Sequence, residues 1–146
     1  ALMEATNLPV LAIPSEAVFK SFSHIAYVTN HAESEIEDIA ALAKITAKFK
    51  ALLSVVSFNS GASSSAQEIF QTAVRERVPF AAIHFGDRQA HNGAAEGLQE
   101  FALTTSVDLI GISGNQCDLR AEIAGRSVAD NFRFSVDVPV LFLPSR

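Results

Sequence analysis

The chain of 146 residues has the length of a single domain, and its composition excludes several classes of protein. Lysine and arginine number 11 against 16 aspartates and glutamates, so the net charge of −5 leaves no basic surplus for a nucleic-acid backbone. Apolar residues make up 49% of the sequence, too many for intrinsic disorder, and no apolar run approaches the roughly 20 residues of a membrane span. The single cysteine and the lack of a signal-peptide pattern predict a cytoplasmic protein whose partners include neither nucleic acid nor a membrane.

The first 22 residues contain an apolar octet that recurs near the other end of the sequence. Residues 8–15 read LPVLAIPS and residues 138–145 read VPVLFLPS, so five of eight positions are identical. Only one set of helical patterns separates the copies, which excludes a repeat array within the chain. We interpret residues 1–22 as the last strand of a preceding homologous domain plus a linker, and residues 23–146 as one α/β domain. Two unrelated strands bounded by prolines are the alternative.

From residue 24 onwards, apolar strands alternate with helical patterns. The predicted strands are residues 24–29, 53–58, 80–85, 107–112 and 138–143, and their near-continuous hydrophobicity indicates strands covered on both faces. The predicted helices carry apolar residues three and four positions apart, at residues 36–47, 66–74, 94–102 and 123–132. Ser34 and Glu37 predict a capping box before the first helix. Strict alternation implies an α/β fold with a single open parallel sheet and right-handed crossovers.

This ordered set of segments resembles the universal stress protein family, and in particular the second half of a tandem protein. The segments that carry the resemblance are Tyr27-Val28-Thr29-Asn30, where the family has a strand ending in Thr-Asp, Gly86-Asp87 after the third strand, Val107-Asp108-Leu109-Ile110, and Val138-Pro139-Val140-Leu141. The resemblance implies a five-stranded parallel sheet of order 3-2-1-4-5 with helices on both faces, and dimerisation through the last strand. We expect the octet of the first 22 residues to add an antiparallel edge strand, paired with the last strand within one chain or between two.

Ligands of open α/β sheets bind beyond the carboxyl ends of the strands where the strand order reverses, here between the first and fourth strands. Residues 30–34 and 113–120 therefore form the predicted site. Nucleotide-binding members of the family carry an aspartate after the first strand and Gly-x2-Gly-x9-Gly-Ser/Thr after the fourth, whose glycines admit phosphate to backbone amides. The matching positions of this chain are Asn30 for the aspartate, Ser113, Gln116 and Arg126 for the glycines, and Ser127 for the final hydroxyl.

Only Ser127 keeps the residue type of the motif, and a frame shifted to Gly111 and Gly114 does not restore it. An arginine at position 126 places about seven extra heavy atoms where phosphate would approach the backbone. Arg126 could instead turn inward and hold a smaller anion, or lie in solvent on a helix.

Several other features have structural interpretations. Residues 61–65 are interpreted as a loop that ends in a serine N-cap, and Cys117 as an incidental or packed thiol near a helix start, with redox sensing as its alternative. The histidines show neither the spacing nor the cysteine partners of a metal site, and His84 is expected in the core or at the rim of a strand with a hydrogen bond. The acidic residues at the start of the first helix are interpreted as charges that favour its dipole; they are Glu33, Glu35, Glu37 and Asp38.

We therefore predict a non-enzymatic universal-stress-protein-like module with a degenerate nucleotide site, no catalytic residues, no metal and no cofactor. It would serve in stress response as the regulatory or dimerisation half of a tandem protein, with the preceding homologous domain or a second copy as partner. The alternative is a sensor that binds AMP or ATP through a modified phosphate loop. An ATP-hydrolysing enzyme is a third hypothesis, which the loss of the glycines and of a metal-binding carboxylate disfavours.

Overall fold

The computed structural model describes residues 8–15, 17, 21–123 and 136–144. The elements in chain order are β1 (Val10–Ala12), β2 (His24–Val28), a 3-10 helix (Glu33–Glu35), α1 (Ile36–Phe49), β3 (Leu52–Phe58), α2 (Ser64–Arg77), β4 (Ile83–Arg88), α3 (Ala94–Thr105), β5 (Leu109–Ile112), α4 (Cys117–Ile123) and β6 (Val140–Phe142). Within the described ranges, no helix is both long and apolar enough to cross a membrane.

The six strands form one sheet in the order β1-β6-β5-β2-β3-β4. Strands β2 to β6 pair in parallel, whereas β1 pairs antiparallel with β6. The α/β fold, the predicted order of the five parallel strands and the added antiparallel edge strand are confirmed. Because the order reverses between β2 and β5, the carboxyl ends of these two strands flank the crevice where ligands bind in open α/β sheets.

Alternate residues of β2 join two separate apolar clusters, one on each face of the sheet. Ile25 and Tyr27 pack with buried residues of α1 and α2, and Ala26 and Val28 pack with those of α3 and α4. All four side chains are at most 2% exposed. The continuous hydrophobicity of this strand therefore reflects burial on both faces, as the sequence predicts.

Strand β4 differs from its prediction in position and in burial. The predicted run was residues 80–85, but β4 spans Ile83–Arg88, so residues 86–87 lie inside the strand rather than after it. Pro79 ends the helical segment and the chain then turns before it enters the sheet, which shifts the strand by three residues. Because β4 is an edge strand, none of its residues is buried, and His84 is exposed rather than held in the core or at its rim.

Strand β1 holds the first copy of the repeated octet and lies at the opposite edge of the sheet. Its register pairs Val10 with Phe142, Leu11 with Leu141 and Ala12 with Val140. The two copies therefore pair antiparallel within one chain, which confirms the expected pairing. Leu11 of β1 and the flanking Leu8 and Ile13 remain 51%, 71% and 65% exposed, so β1 covers β6 while these three apolar side chains stay in contact with solvent.

Candidate functional site

Two loops at the carboxyl ends of neighbouring strands form the candidate site. One loop follows β2 and the other follows β5. Gln116 Nε2 donates a hydrogen bond to the carbonyl oxygen of Val28 at 2.8 Å, and Asn115 Nδ2 donates to Ser34 Oγ at 3.3 Å. The chain's own side chains thus join the two loops that the strand order places at the ligand position.

The five sequence-predicted positions differ in their surroundings. Asn30 is exposed, whereas Ser113 and Gln116 are only 1% and 8% exposed. Arg126 and Ser127 lie outside the described residues. Since glycine leaves the space beside its Cα open, the buried side chains at positions 113 and 116 fill space that glycines at these positions would leave open.

The centre of the site is the carboxylate of Glu35, which is 1% exposed. Its Oε1 accepts hydrogen bonds from the Thr29 hydroxyl at 2.6 Å and from the Asn30 backbone N–H at 3.0 Å. The Ala32 N–H donates to the same oxygen at 3.4 Å, and Gln116 Nε2 donates to Oε2 at 3.4 Å. We name these four groups the donor cradle: the Thr29 hydroxyl, the Asn30 and Ala32 amides and the Gln116 side-chain amide.

Burial raises the pKa of the Glu35 carboxyl group above its ordinary value. Removal from water disfavours the charged form, and the hydrogen bonds of the donor cradle act in the opposite direction without cancelling this effect. All four donors are neutral groups, so they solvate the carboxylate without neutralising its charge. The crevice therefore already contains a bound acidic group that belongs to the chain.

A second buried polar contact lies beside Glu35. The Tyr27 hydroxyl donates to Asp38 Oδ2 at 3.1 Å, and both side chains are 0% exposed. Burial raises the pKa of Tyr27 above its usual value, and the negative charges of Glu35 and Asp38 add to this shift, while a hydrogen bond with Ser113 opposes it. Tyr27 therefore remains a neutral donor. Two carboxyl groups, those of Glu35 and Asp38, thus lie close enough to Tyr27 for their charges to affect its hydroxyl.

The predicted capping box at the start of the first helix is wrong. A 3-10 turn precedes α1, so Ser34 is already helical and cannot stand at the N-cap, and its Oγ accepts a hydrogen bond from Asn115 instead. Glu37 is exposed and pairs with Arg77 at 3.4 Å. Glu35 performs the capping, because its carboxylate accepts hydrogen bonds from the backbone amides ahead of the helix.

The interpretation of the acidic residues as charges at the helix dipole fails for two of the four. Glu33 and Glu37 are exposed, but Glu35 and Asp38 are buried. The sequence analysis did not predict that these two residues are buried, although the helical spacing gave a signal for Glu35. Counting back seven and four residues from the buried Leu42 and Ile39 places Glu35 on the inward face of the helical pattern.

The other candidates have structural roles or lie at the surface. Ser63 is the N-cap of α2, where its Oγ accepts from the Ala66 N–H at 3.1 Å, which confirms the predicted serine cap. His24 Nε2 lies 2.6 Å from Ser54 Oγ, and the His31 ring packs edge-on against Phe70 at the other end of β2. Cys117 is exposed and begins α4, so it is not a packed thiol. In the described part of the chain, no three His, Cys, Asp or Glu side chains are grouped to hold a metal ion.

No protein-family model and no curated protein sequence matches the chain. Solved structures do match. A universal stress protein crystallised in complex with cAMP is 17% identical with a TM-score of 0.61, over 87% of this chain and 100% of the other. A universal stress protein from Archaeoglobus fulgidus DSM 4304 is 13% identical with a TM-score of 0.68, over 99% and 52% of the two chains. A protein of the universal stress protein family from Burkholderia pseudomallei is 17% identical with a TM-score of 0.57, over 88% and 100%.

These similarities show that the chain has the fold of universal stress proteins. The chain spans 52% of the length of the Archaeoglobus fulgidus chain and the full length of the other two.

Proposed function

We propose that the chain is a universal-stress-protein module of the stress response whose own side chains close the nucleotide crevice. It is a cytoplasmic, non-enzymatic module that works through its sheet edge, as the regulatory or dimerisation half of a tandem protein. The observation that carries this proposal is the buried Glu35 carboxylate inside the donor cradle, at the carboxyl ends of β2 and β5.

The closed crevice argues against nucleotide binding for two physical reasons. A ligand that reaches the end of β2 must displace both Glu35 and Gln116, whose side-chain amide also bonds to the Val28 carbonyl at 2.8 Å. Each displaced group would lose hydrogen bonds that the ligand has to replace. In its ionised form, the Glu35 carboxylate also repels phosphate at this position.

The alternative function is a nucleotide sensor, and one observation favours it. A structure with the same fold is a universal stress protein in complex with cAMP. In this chain Asn30 is exposed at the end of β2 and could accept a hydrogen bond from a ribose hydroxyl. Under this hypothesis Glu35 and Gln116 move aside when the nucleotide binds.

Calorimetric titration with ATP and Mg²⁺, with AMP and with cAMP separates the two hypotheses. We expect no binding at micromolar concentrations. A dissociation constant near 10 μM, about −6.8 kcal/mol, for any of the three would contradict the closed crevice. If a nucleotide does bind, Asn30→Ala is the matched variant, and it should weaken that binding. Among the predicted positions that the structure describes, Asn30 has the only exposed side chain.

The proposed partner is a homologous domain that precedes residue 23, or a second copy of the chain. The two copies of the octet pair antiparallel as two last strands would across a pseudo-two-fold axis. In a preceding domain β1 would be the last strand, and the exposed Leu8, Leu11 and Ile13 would join that domain's core. The Archaeoglobus fulgidus chain, of which this chain covers 52%, has room for two such domains.

Deletion of residues 1–14 tests the role of this edge, since it removes β1 and uncovers β6. An open apolar edge strand seeks another strand, so we expect the shortened chain to dimerise or to lose solubility. Deletion of residues 1–7 is the matched control, because it retains β1 and should leave the sedimentation behaviour unchanged. A shortened chain that stays monomeric and soluble without β1 would contradict the assembly proposal.

A further inference from the structure

The donor cradle has the composition of a carboxylate-binding site. Two backbone N–H groups, a hydroxyl and a side-chain amide surround both oxygens of Glu35 at 2.6 to 3.4 Å. Three of the donors come from the loop after β2 and the fourth, Gln116, comes from the loop between β5 and α4, so the cradle connects the two strands of the crevice. Such an arrangement of donors recognises a planar acidic group irrespective of the chain to which that group is attached.

The contacts of Glu35 exceed those that a helix cap requires. In a capping box, the glutamate at the third helical position accepts a hydrogen bond from the backbone N–H of the N-cap residue, as Glu35 does from Ala32 at 3.4 Å, and this role does not require burial. The Glu35 carboxylate is instead taken out of water, which costs free energy that neutral donors recover only in part. Glu35 also accepts hydrogen bonds from the Thr29 hydroxyl, the Asn30 amide and the Gln116 side chain, so the capping requirement alone does not explain the donor cradle.

We propose that Glu35 is a built-in ligand that plugs a carboxylate site in the crevice, and that the cradle binds a small free monocarboxylate when residue 35 is shortened. This inference rests on the proposed closed crevice and names the chemical class that the crevice would accept. The plug acts as an autoinhibitory contact, since a free acid has to compete with a carboxylate attached to the loop itself. Tethering gives Glu35 an effective concentration in the millimolar range or above, which excludes dilute competitors.

The size of the cradle limits its free ligand to a monocarboxylate. The site accommodates one carboxylate between Thr29 and Gln116, and the buried Asp38 lies close enough for its charge to affect the same Tyr27 ring as Glu35. A multiply charged phosphate would meet that charge as well. A ligand with three heavy atoms such as formate has limited binding energy, so we expect a dissociation constant of about 1 mM or weaker.

Chemical rescue tests the proposal on the full chain. Glu35→Ala removes the plug, Glu35→Gln keeps its volume with a neutral amide, and Glu33→Ala removes an exposed acid from the same 3-10 turn as the matched control. Urea unfolding of each variant is measured in about 100 mM sodium formate and in sodium chloride of equal ionic strength. Formate should lower the unfolding equilibrium constant of Glu35→Ala about 10-fold to 100-fold. It should leave the wild type, Glu35→Gln and Glu33→Ala unchanged.

A second readout keeps the test decisive if Glu35→Ala does not fold in chloride. In that case formate should restore its folding, and Glu35→Ser should show the same formate dependence. Formate should also shift the Asn30 and Ala32 amide resonances of the shortened variants in a saturable way. Folded shortened variants that ignore formate in both readouts would overturn the plug, as would an equal effect of formate on Glu33→Ala. Both results are independent of the nucleotide titration of the wild type, which tests the closed crevice separately.

Discussion

At each end of β2 a carboxylate accepts hydrogen bonds from backbone amides, and we call these two sets of contacts the amino-end clamp and the carboxyl-end clamp. The two clamps differ in their surroundings. At the amino end, Asp108 accepts hydrogen bonds from the Ser23 N–H at 2.8 Å, the Ser23 hydroxyl at 3.0 Å and the His24 N–H at 2.9 Å. At the carboxyl end, Glu35 accepts from the donor cradle, which includes the Asn30 N–H at 3.0 Å. Asp108 is only partly buried, whereas Glu35 is 1% exposed.

The same kind of hydrogen bonding has opposite consequences at the two ends. Burial opposes ionisation of Asp108, but the hydrogen bonds from Ser23 and His24 outweigh it and lower the pKa of that carboxyl group. For Glu35 burial dominates and the pKa is raised. The amino-end clamp therefore stabilises the fold in its charged form. The carboxyl-end clamp holds a charge that the fold disfavours, at the position where ligands of such sheets bind.

The largest expected effect is the loss of the buried clamp. Glu35→Ala leaves the donor cradle without its acceptor, so the free energy of unfolding should fall by about 2–4 kcal/mol. Glu35→Gln keeps one amide oxygen for the cradle and should cost about 1 kcal/mol. Urea denaturation of both variants beside Glu33→Ala measures these differences. A loss for Glu35→Ala no larger than that of the exposed control would contradict the role of Glu35.

A smaller loss is expected at the amino end. Asp108→Asn retains one acceptor oxygen but loses the charge that strengthens the bonds to Ser23 and His24, which should lower the free energy of unfolding by about 1–2 kcal/mol. The same urea denaturation at neutral pH measures it. If Asp108→Asn proved more damaging than Glu35→Ala, the ranking of the two clamps by burial would be wrong.

The two clamps should also respond to pH with opposite slopes. The contribution of Asp108 is present above its ordinary pKa of 3.8 and is lost as pH falls through its lowered pKa. The contribution of Glu35 is fully present below its ordinary pKa of 4.5 and is lost as pH rises through its raised pKa. As the pH rises from about 3 to about 7, the difference in free energy of unfolding between the wild type and Asp108→Asn should increase. Over the same range, the difference between the wild type and Glu35→Gln should decrease. If both differences changed with pH in the same direction, the opposite roles assigned to the two clamps would be contradicted.

The smallest effect is expected where the sequence predicted a capping box. Glu37 forms an exposed ion pair with Arg77, in which the two side chains are 57% and 52% exposed. Exposed pairs contribute little, so Glu37→Ala should change the free energy of unfolding by less than about 0.5 kcal/mol. Thermal unfolding of Glu37→Ala and Glu35→Ala under the same conditions measures the difference between the two variants. A loss of about 1 kcal/mol or more would support the capping box over the buried clamp.

The fold was predictable because hydrophobic periodicity and strand duplication are properties of the sequence itself. The alternation of apolar strands and helices predicts a parallel α/β sheet, and the resemblance to universal stress proteins implies the order of its strands. The repeated octet predicts the pairing of β1 with β6. The position of β4 was not predictable from hydrophobicity, because an edge strand loses the continuous apolar run on which the prediction depended.

The candidate site was predictable in place but not in content. The strand order locates the loops of Asn30 and Ser113 beside each other, whereas the burial of Glu35 depends on the 3-10 turn ahead of α1. That turn contains no apolar residue, so the sequence signal for the burial of Glu35 is limited to its spacing of four and seven residues from the buried Ile39 and Leu42. An acidic residue near a helix start reads as a surface charge unless its tertiary neighbours are known, as the exposed Glu33 shows in the same turn.

A pH titration of the Asn30 and Ala32 backbone amides by nuclear magnetic resonance tests the central claim most directly. Both N–H groups donate to the Glu35 carboxylate, so their resonances should shift together as that group ionises. We expect one shared transition above the ordinary glutamate pKa of 4.5, which is absent in Glu35→Gln and retained in Glu33→Ala. Amides that titrate at or below that value, or that titrate unchanged in Glu35→Gln, would contradict a buried Glu35 that occupies the crevice.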